Sequence, residues 1–172
     1  MTNLFTEIDV ESLEDNPFKL IGKEWMLITA GSRESFNTMT ASWGGLGVLW
    51  NKRVAFIFIR PTRHTYLFAE KSKTFTLCFF DEKHREALNI CGTCSGRDVD
   101  KIRMTGLTPA ETPGGSICFA EARMVLECHK LYFSDIDPAQ FINPDIDRNY
   151  PAKDYHRMHI GEIMRCLVKQ SS

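Results

Sequence analysis

The sequence predicts a mainly β fold with short helices, an antiparallel barrel carrying helical decoration. Five runs rich in β-branched and aromatic residues are spread along the chain. The segments between them lack the regular helices of roughly ten to fifteen residues that a doubly wound sheet requires. No repeat, low-complexity tract or Gly/Ser linker divides the 172 residues, so 1–172 is expected to be a single domain. A chain of that length can bury roughly 70% of the surface it would expose unfolded.

Composition removes several function classes. Charged residues make up 25% of the chain and the formal net charge is -1, so the electrostatic footprint of a nucleic-acid binder is missing. The start, "MTNLFTEIDVESLED", is acidic and has no apolar core, unlike a signal peptide, and residues 1–20 are expected to form an N-terminal extension. No apolar run reaches the roughly 18 residues of a membrane span. The expected location is the cytoplasm, with neither membrane nor nucleic acid as partner. Six scattered cysteines do not form a secreted disulfide framework and are expected to be reduced.

Taken in order, "WMLITAG" (25–31), "RVAFIFIR" (53–60) and "KTFTLCFF" (73–80) are short strands bounded by Gly, Pro, Asn or charges. "FAEARMVLECHKLYF" (119–133) and "HRMHIGEIMRCLV" (156–168) are expected as long strands, one face of each partly polar. Helices are expected in "TRHTYLFAEK" from Thr62, "DEKHREALNI" from Asp81 and "RDVDKIRMTG" from Arg97. Residues 134–154 form a long loop with three prolines, and a loop of that length usually caps a site or a partner surface. Its aspartates, Asp135, Asp137, Asp145 and Asp147, lack the glycine and closing glutamate of a calcium loop.

The pair Cys91 and Cys94 in "LNICGTCSGRD" has the spacing of thiol-disulfide centres and of half a zinc site. Cys91 follows apolar helical positions and precedes Gly92, which predicts a helix C-terminus whose partial negative charge disfavours a thiolate. For zinc, His156 and His159 are spaced to opposite faces of a strand, so no closed tetrahedral site is expected. Half-buried free cysteines are the favoured outcome, with a zinc or thiol redox module as the remaining alternative.

Two junctions carry anion-binding ingredients. After the cysteines, Ser95 with Asp98 three positions on predicts a helix starting near Gly96, with Arg97 and Lys101 one turn apart beside its free N–H groups. In "RPTRHT" (60–65) a strand ends at Arg60, Thr62 is a candidate cap, and Arg63 and Thr65 offer a bidentate donor and a hydroxyl. An exposed amphipathic helix and a solvent-facing cap satisfy the same local patterns. A third feature, "NTMTASWGGLGVLW" (37–50), sets small and hydroxylated residues before Trp43 and three glycines, so that a flat ring can approach the backbone. The three together suit a flat, phosphorylated cofactor.

In "NTMTASW", "RPTRHTY", "SGRDVDK" and "YHRMHIGEI", occurring in that order, the chain resembles the flavin reductase-like family, the FMN-binding split barrels that include flavoredoxin and the reductase components of two-component monooxygenases. "KDYH" stands where the family has G-D-H, and His156 keeps the position. The resemblance implies a six-stranded split β-barrel, a homodimer, and FMN near the subunit interface. Thr40, Ala41, Ser42 and Trp43 would line the isoalloxazine, Arg63 and Thr65 with Ser95, Arg97 and Lys101 would hold the ribityl phosphate, and Thr38, Met39, Arg60 and Gly96 would complete the cofactor-binding set. His156 would be the catalytic-site histidine beside the nicotinamide, and residues 134–154 would lie over the site or the dimer surface. The implied reaction is hydride transfer from NADH or NADPH to flavin N5, with electrons passing to an acceptor protein or a monooxygenase. The alternative is a flavoredoxin-like electron carrier reduced by a protein partner. No metal is expected.

Overall fold

The computed structural model describes residues 4–170. Eight antiparallel strands form one sheet: β1 (Phe5–Ile8), β2 (Met26–Gly31), β3 (Phe36–Ala41), β4 (Gly44–Leu49), β5 (Lys52–Ile59), β6 (Thr74–Phe79), β9 (Met124–Asp135) and β10 (Arg157–Lys169). The path β3-β2-β6-β9-β10-β5 contains the five expected strands plus the 37–43 segment, which makes six, and β4 extends it beyond β5. β1 pairs with the far half of β10, at 166–169, while β5 pairs with the near half, at 157–162. A separate ribbon pairs β7 (Pro109–Glu111) with β8 (Ile117–Phe119).

The sheet curls without closing, as a split barrel does. Met39 and Ala41 of β3 share one core with Ile57 and Ile59 of β5, at the other end of the six-strand path. Phe75, Leu77 and Leu126 fill the space between them. On the outside, Leu27, Cys78 and Val125 pack against Leu88 and Cys91 of α3 (Arg85–Thr93), with Phe119 of β8. Strands covered on both faces read as nearly continuous apolar runs rather than as clean alternation. β10 bends over this core at two register shifts against β9, and at the first lies Gly161. A Cβ there would stand 2.6 Å from the Phe75 ring, so the core reaches the strand backbone itself.

Several expected boundaries need correction. The strand placed at 119–133 begins at Met124, because Phe119 ends β8 and a turn intervenes. β1, β4, β7 and β8 were not expected. β4 carries three glycines and little apolar alternation, so periodicity could not reveal a strand held by its pairing with β5. Arg63, not Thr62, occupies the N-cap of α2 (His64–Lys71), because the Thr62 hydroxyl is spent on Asp154. α3 runs through Cys91 and Gly92 to Thr93, so Gly92 is inside the helix rather than its terminator. The helix expected from Gly96 begins at Lys101, capped by Asp100, and α4 (Lys101–Thr105) is short. Arg97 therefore lies in the preceding turn and is not one helical turn from Lys101. His156 immediately precedes β10 rather than starting it.

Candidate functional site

β3 is an edge strand, hydrogen bonded only to β2. Thr38 faces outward from it, since its carbonyl accepts from Lys101 Nζ at 2.8 Å. In an antiparallel pair the outward residues alternate, so Thr40 presents its N–H and C=O along the same edge. The Thr38 hydroxyl is engaged with Thr29, 2.9 Å away, and the Thr40 hydroxyl donates to the carbonyl of Leu88 on α3. Met39 and Ala41 turn into the barrel core, so of the six residues expected here these two can offer a ligand only backbone. Ser42 and Trp43, at the turn into β4, are exposed.

The two junctions meet at the C-terminus of α3. Arg63 donates through Nη1 to the carbonyl of Gly92 at 2.7 Å and through Nη2 to that of Cys91 at 3.1 Å. Lys101 reaches the same Cys91 oxygen at 3.0 Å. Arg97 Nη1 donates to the carbonyl of Thr62 at 3.1 Å. Among the described residues none of these three cations has a carboxylate partner, whereas Arg60, Arg85, Arg123, Arg157 and Arg165 are all ion-paired. Burial, reinforced by Arg63, brings the Lys101 ammonium down to about 8. Burial also lowers the Arg63 guanidinium, with Arg60 acting in the same direction.

Around the cations the packing is close. Thr65 is fully buried and its hydroxyl accepts from Asn37 Nδ2 at 2.7 Å. Ser95 accepts the N–H of Arg97, capping a turn rather than a helix. A Cβ on Gly96 would collide with Asn37 Oδ1 at 2.1 Å and approach His64 Cδ2 at 3.1 Å, so only glycine lets this turn settle onto β3 and α2. The buried Nδ1 of His64 has no hydrogen-bond partner among the described residues. Unneutralised cations around an orphaned polar atom and a helix start are chemistry that fits a phosphate monoester. Asn37 and His64 were not expected as members of this cluster, although both lie inside the motifs that predicted it.

A second set of bonds leads from this cluster to His156. Arg60 pairs with Asp154 at 2.7 Å, donates to the carbonyl of Asn149 at 2.8 Å, and lies 4.8 Å above the Tyr150 ring. Arg60, expected in the cofactor-binding set, fastens the 144–154 segment to the barrel. Thr62, whose carbonyl holds Arg97, gives its hydroxyl to the same Asp154 at 3.1 Å. Tyr150 Oη lies 2.8 Å from His156 Nδ1, and the His156 ring stands 5.2 Å from Trp43 and 6.4 Å from Phe58. Burial, with Arg60 nearby, holds the His156 imidazole down at about 4, so it is neutral at pH 7. The ends of the long loop are pinned together by Ile136 N–H donating to the His156 carbonyl at 3.0 Å.

The cysteine pair has a different setting. Cys91 is buried in the outer core, and burial pushes its thiol up to about 11 against the pull of Lys101 and Arg63. Burial thus disfavours the thiolate at a position the sequence had assigned to a helix end. His159 is fully buried on β10 beside Glu70 and Phe133, in a different environment from His156. Among the described residues no group of three His, Cys, Asp or Glu is placed to hold a metal ion. A cleft of about 250 Å³ between Val10, Leu13 and Leu20 and the β4–β5 pair does not include any of the cation-cluster residues. No described helix is long and apolar enough to cross a membrane.

Comparison with known proteins bears on the same segments. A family model described as "Flavin reductase like domain" matches residues 18–171. No curated protein matches the chain. Among solved structures, the FMN-binding domain of a flavin reductases-like enzyme from Shewanella baltica superposes with a TM-score of 0.70 at 17% identity, covering 97% of this chain and 78% of that one. The flavoredoxin of Desulfovibrio vulgaris gives 0.68 at 20% identity, over 96% and 78%. The NADH:FAD oxidoreductase of Streptomyces globisporus, in complex with NAD and FAD fragments, gives 0.64 at 16% identity, over 86% and 75%. At these identities the likeness is one of fold.

Proposed function

The chain belongs to the flavin reductase-like domain family, and from that premise we propose that it is an FMN-binding oxidoreductase drawing hydride from NADH or NADPH. The observation that carries this reading is the trio Arg63, Arg97 and Lys101, gathered in one cluster where each is held by backbone carbonyls and, among the described residues, none is ion-paired. Three such cations repel one another, and a dianionic phosphate seated among them relieves that repulsion through charge-assisted hydrogen bonds of roughly 1.5 to 3 kcal/mol each. In this reading Arg63, Arg97 and Lys101, with the start of α2 and His64, hold the ribityl phosphate. The free edge of β3 at Thr40 and the turn Ser42–Trp43 receive the ring.

Bound FMN supplies the hydride acceptor at N5. The protein's own part is to position: the edge of β3 would hold the ring, and Trp43 and His156, 5.2 Å apart, would border it where a nicotinamide approaches. A neutral His156 adds no charge to that face at pH 7 and keeps a single ring N–H. No catalytic acid or base is required by this arrangement. The homodimer expected of the family finds support in Trp50 and Tyr132, half-exposed and in edge contact at 6.1 Å, with Phe133 exposed on the same strand as Tyr132.

The test is the absorption spectrum of the purified protein, with release and identification of any flavin, then anaerobic mixing with NADH and NADPH. Bleaching of the bound flavin is expected with at least one of them. An oxidised spectrum that persists with both would overturn hydride transfer and leave a carrier reduced by a protein partner.

A further inference from the structure

Tyr150 is half of a hydrogen bond whose direction can be worked out. Its hydroxyl lies 2.8 Å from His156 Nδ1 and has no other acceptor among the described bonds. Burial raises the Tyr150 phenol, so the group keeps its proton. Were it to accept from Nδ1–H instead, its own buried proton would be left without an acceptor, so the hydroxyl donates to Nδ1. Nδ1 of the neutral imidazole is then the acceptor, and the ring proton must reside on Nε2. Among the described residues Nε2 makes no hydrogen bond, and unlike the ring nitrogens of His159 it is not fully enclosed.

The support of Tyr150 is equally specific. Arg60 stacks over its ring and ties both Asn149 and Asp154, the residues flanking the Tyr150 turn. Tyr150 is itself buried and packs at 4.8 Å from Tyr155 and 6.3 Å from Phe141. The loop thus places one phenol against one imidazole nitrogen and leaves the other nitrogen exposed as a donor.

We propose that Tyr150 is a positioning residue that fixes His156 as an Nε2–H donor, which would be available to the carboxamide oxygen of a bound nicotinamide. This rests on the functional reading above and adds a specific role for the long loop. A carboxamide oxygen takes one such donor, and an imidazole in the opposite tautomer would turn a lone pair toward it instead.

The test combines two readouts on Tyr150→Phe. Nitrogen-15 NMR of histidine-labelled protein, with the His156 signals assigned by their loss in His156→Gln, reports the tautomer. The flavin-loaded protein reports KM for NADH, kcat and the dissociation constant of FMN. The native protein should show a pyridine-type Nδ1 and a protonated Nε2, and Tyr150→Phe should mix the tautomers. KM should rise about three- to tenfold, the value of one neutral hydrogen bond, with FMN affinity unchanged. A protonated Nδ1 in the native spectrum would overturn the assignment outright. So would a shifted tautomer with unchanged KM, or equal losses of FMN affinity and KM, which a merely structural tyrosine would produce. If neither NADH nor NADPH reduces the native flavoprotein, the functional reading and the carboxamide contact fall together, while the nitrogen spectrum still decides the tautomer.

Discussion

Arg63 and Lys101 converge on one atom, the carbonyl oxygen of Cys91, at 3.1 and 3.0 Å. Two cations sharing an uncharged acceptor at the end of α3 are stabilised by the helix dipole but not neutralised by it. This arrangement keeps positive charge beside the β3 edge and makes α3 part of the site, although none of its own side chains supplies a charge there.

Arg63→Ala and Arg97→Ala should separate two roles. Arg63 both closes α3 and offers charge, so its loss should lower FMN affinity roughly ten- to a hundredfold and also reduce the thermal midpoint by several degrees. Arg97 is exposed and its side chain bonds only the Thr62 carbonyl among the described residues, so its loss should weaken FMN while the midpoint stays put. Fluorescence titration with FMN and thermal melts read the two effects; unchanged affinity in both variants would remove them from the site.

Lys101 sets a pH dependence. Its folded value, brought down to about 8 by burial, lies below the ordinary lysine range. As pH rises through 8 the ammonium is lost, so FMN affinity should fall between about pH 8 and 9, and Lys101→Met should abolish that slope. For stability the sign is opposite. The unfolded chain binds more protons above pH 8, so the flavin-free protein should gain stability from this group as pH rises toward 10.5. Titrations at pH 7, 8 and 9 with wild type and Lys101→Met check both.

Acid should unfold the protein early. Burial holds His156 and His159 at about 4, with Arg60 near the first and Lys130 near the second, while Glu70 at 3.4 Å from His159 does not outweigh burial. Both are depressed from about 6.5 in the unfolded chain. Stability is therefore complete above pH 6.5 and is lost as pH falls through 4. Urea midpoints should drop across that window, and His159→Leu should flatten part of the drop.

Gly161→Ala should cost about 3 kcal/mol, the upper range of overpacking, because its Cβ would meet the Phe75 ring at 2.6 Å and Cys128 Cβ at 3.0 Å. Phe75→Leu in the same chain should recover part of that loss, giving a non-additive pair in denaturant unfolding.

Cys94→Ser should leave the flavin spectrum and any nucleotide-driven reduction unchanged, since among the described residues the Cys94 thiol meets only the Thr93 hydroxyl by hydrogen bond. A large loss in rate would return the thiols to the mechanism.

The local sequence was enough for β2, β5 and β6, where apolar runs end at residues that stop a strand, and for α2 and most of α3. It was also enough for the segments of the cation cluster: RPTRHT and SGRDVDK each carry basic residues beside a turn. Boundaries failed where tertiary bonds compete with local ones. Thr62 has the chemistry of a cap, but Asp154, 92 positions away, takes its hydroxyl. Gly92 has the look of a terminator, but Arg63 and Lys101 satisfy the last carbonyls and let the helix run past it. Tyr150 and Asn37 gave no signal beyond their neighbourhood, because a phenol in a proline-rich loop and an amide at a strand start acquire meaning only from what they touch.

Alone, the sequence determined the β-rich class, the reduced state expected of the cysteines and the segments that bear charge and small residues, since periodicity and residue chemistry are local properties. The tertiary structure decided which of those residues point inward, as Met39, Ala41 and Thr65 do. It also decided which cations are left without an ion pair among the described residues, and which loop tyrosine meets which histidine. Hydrogen bonds and burial between distant segments are properties of the packed chain, and no spacing along it records them.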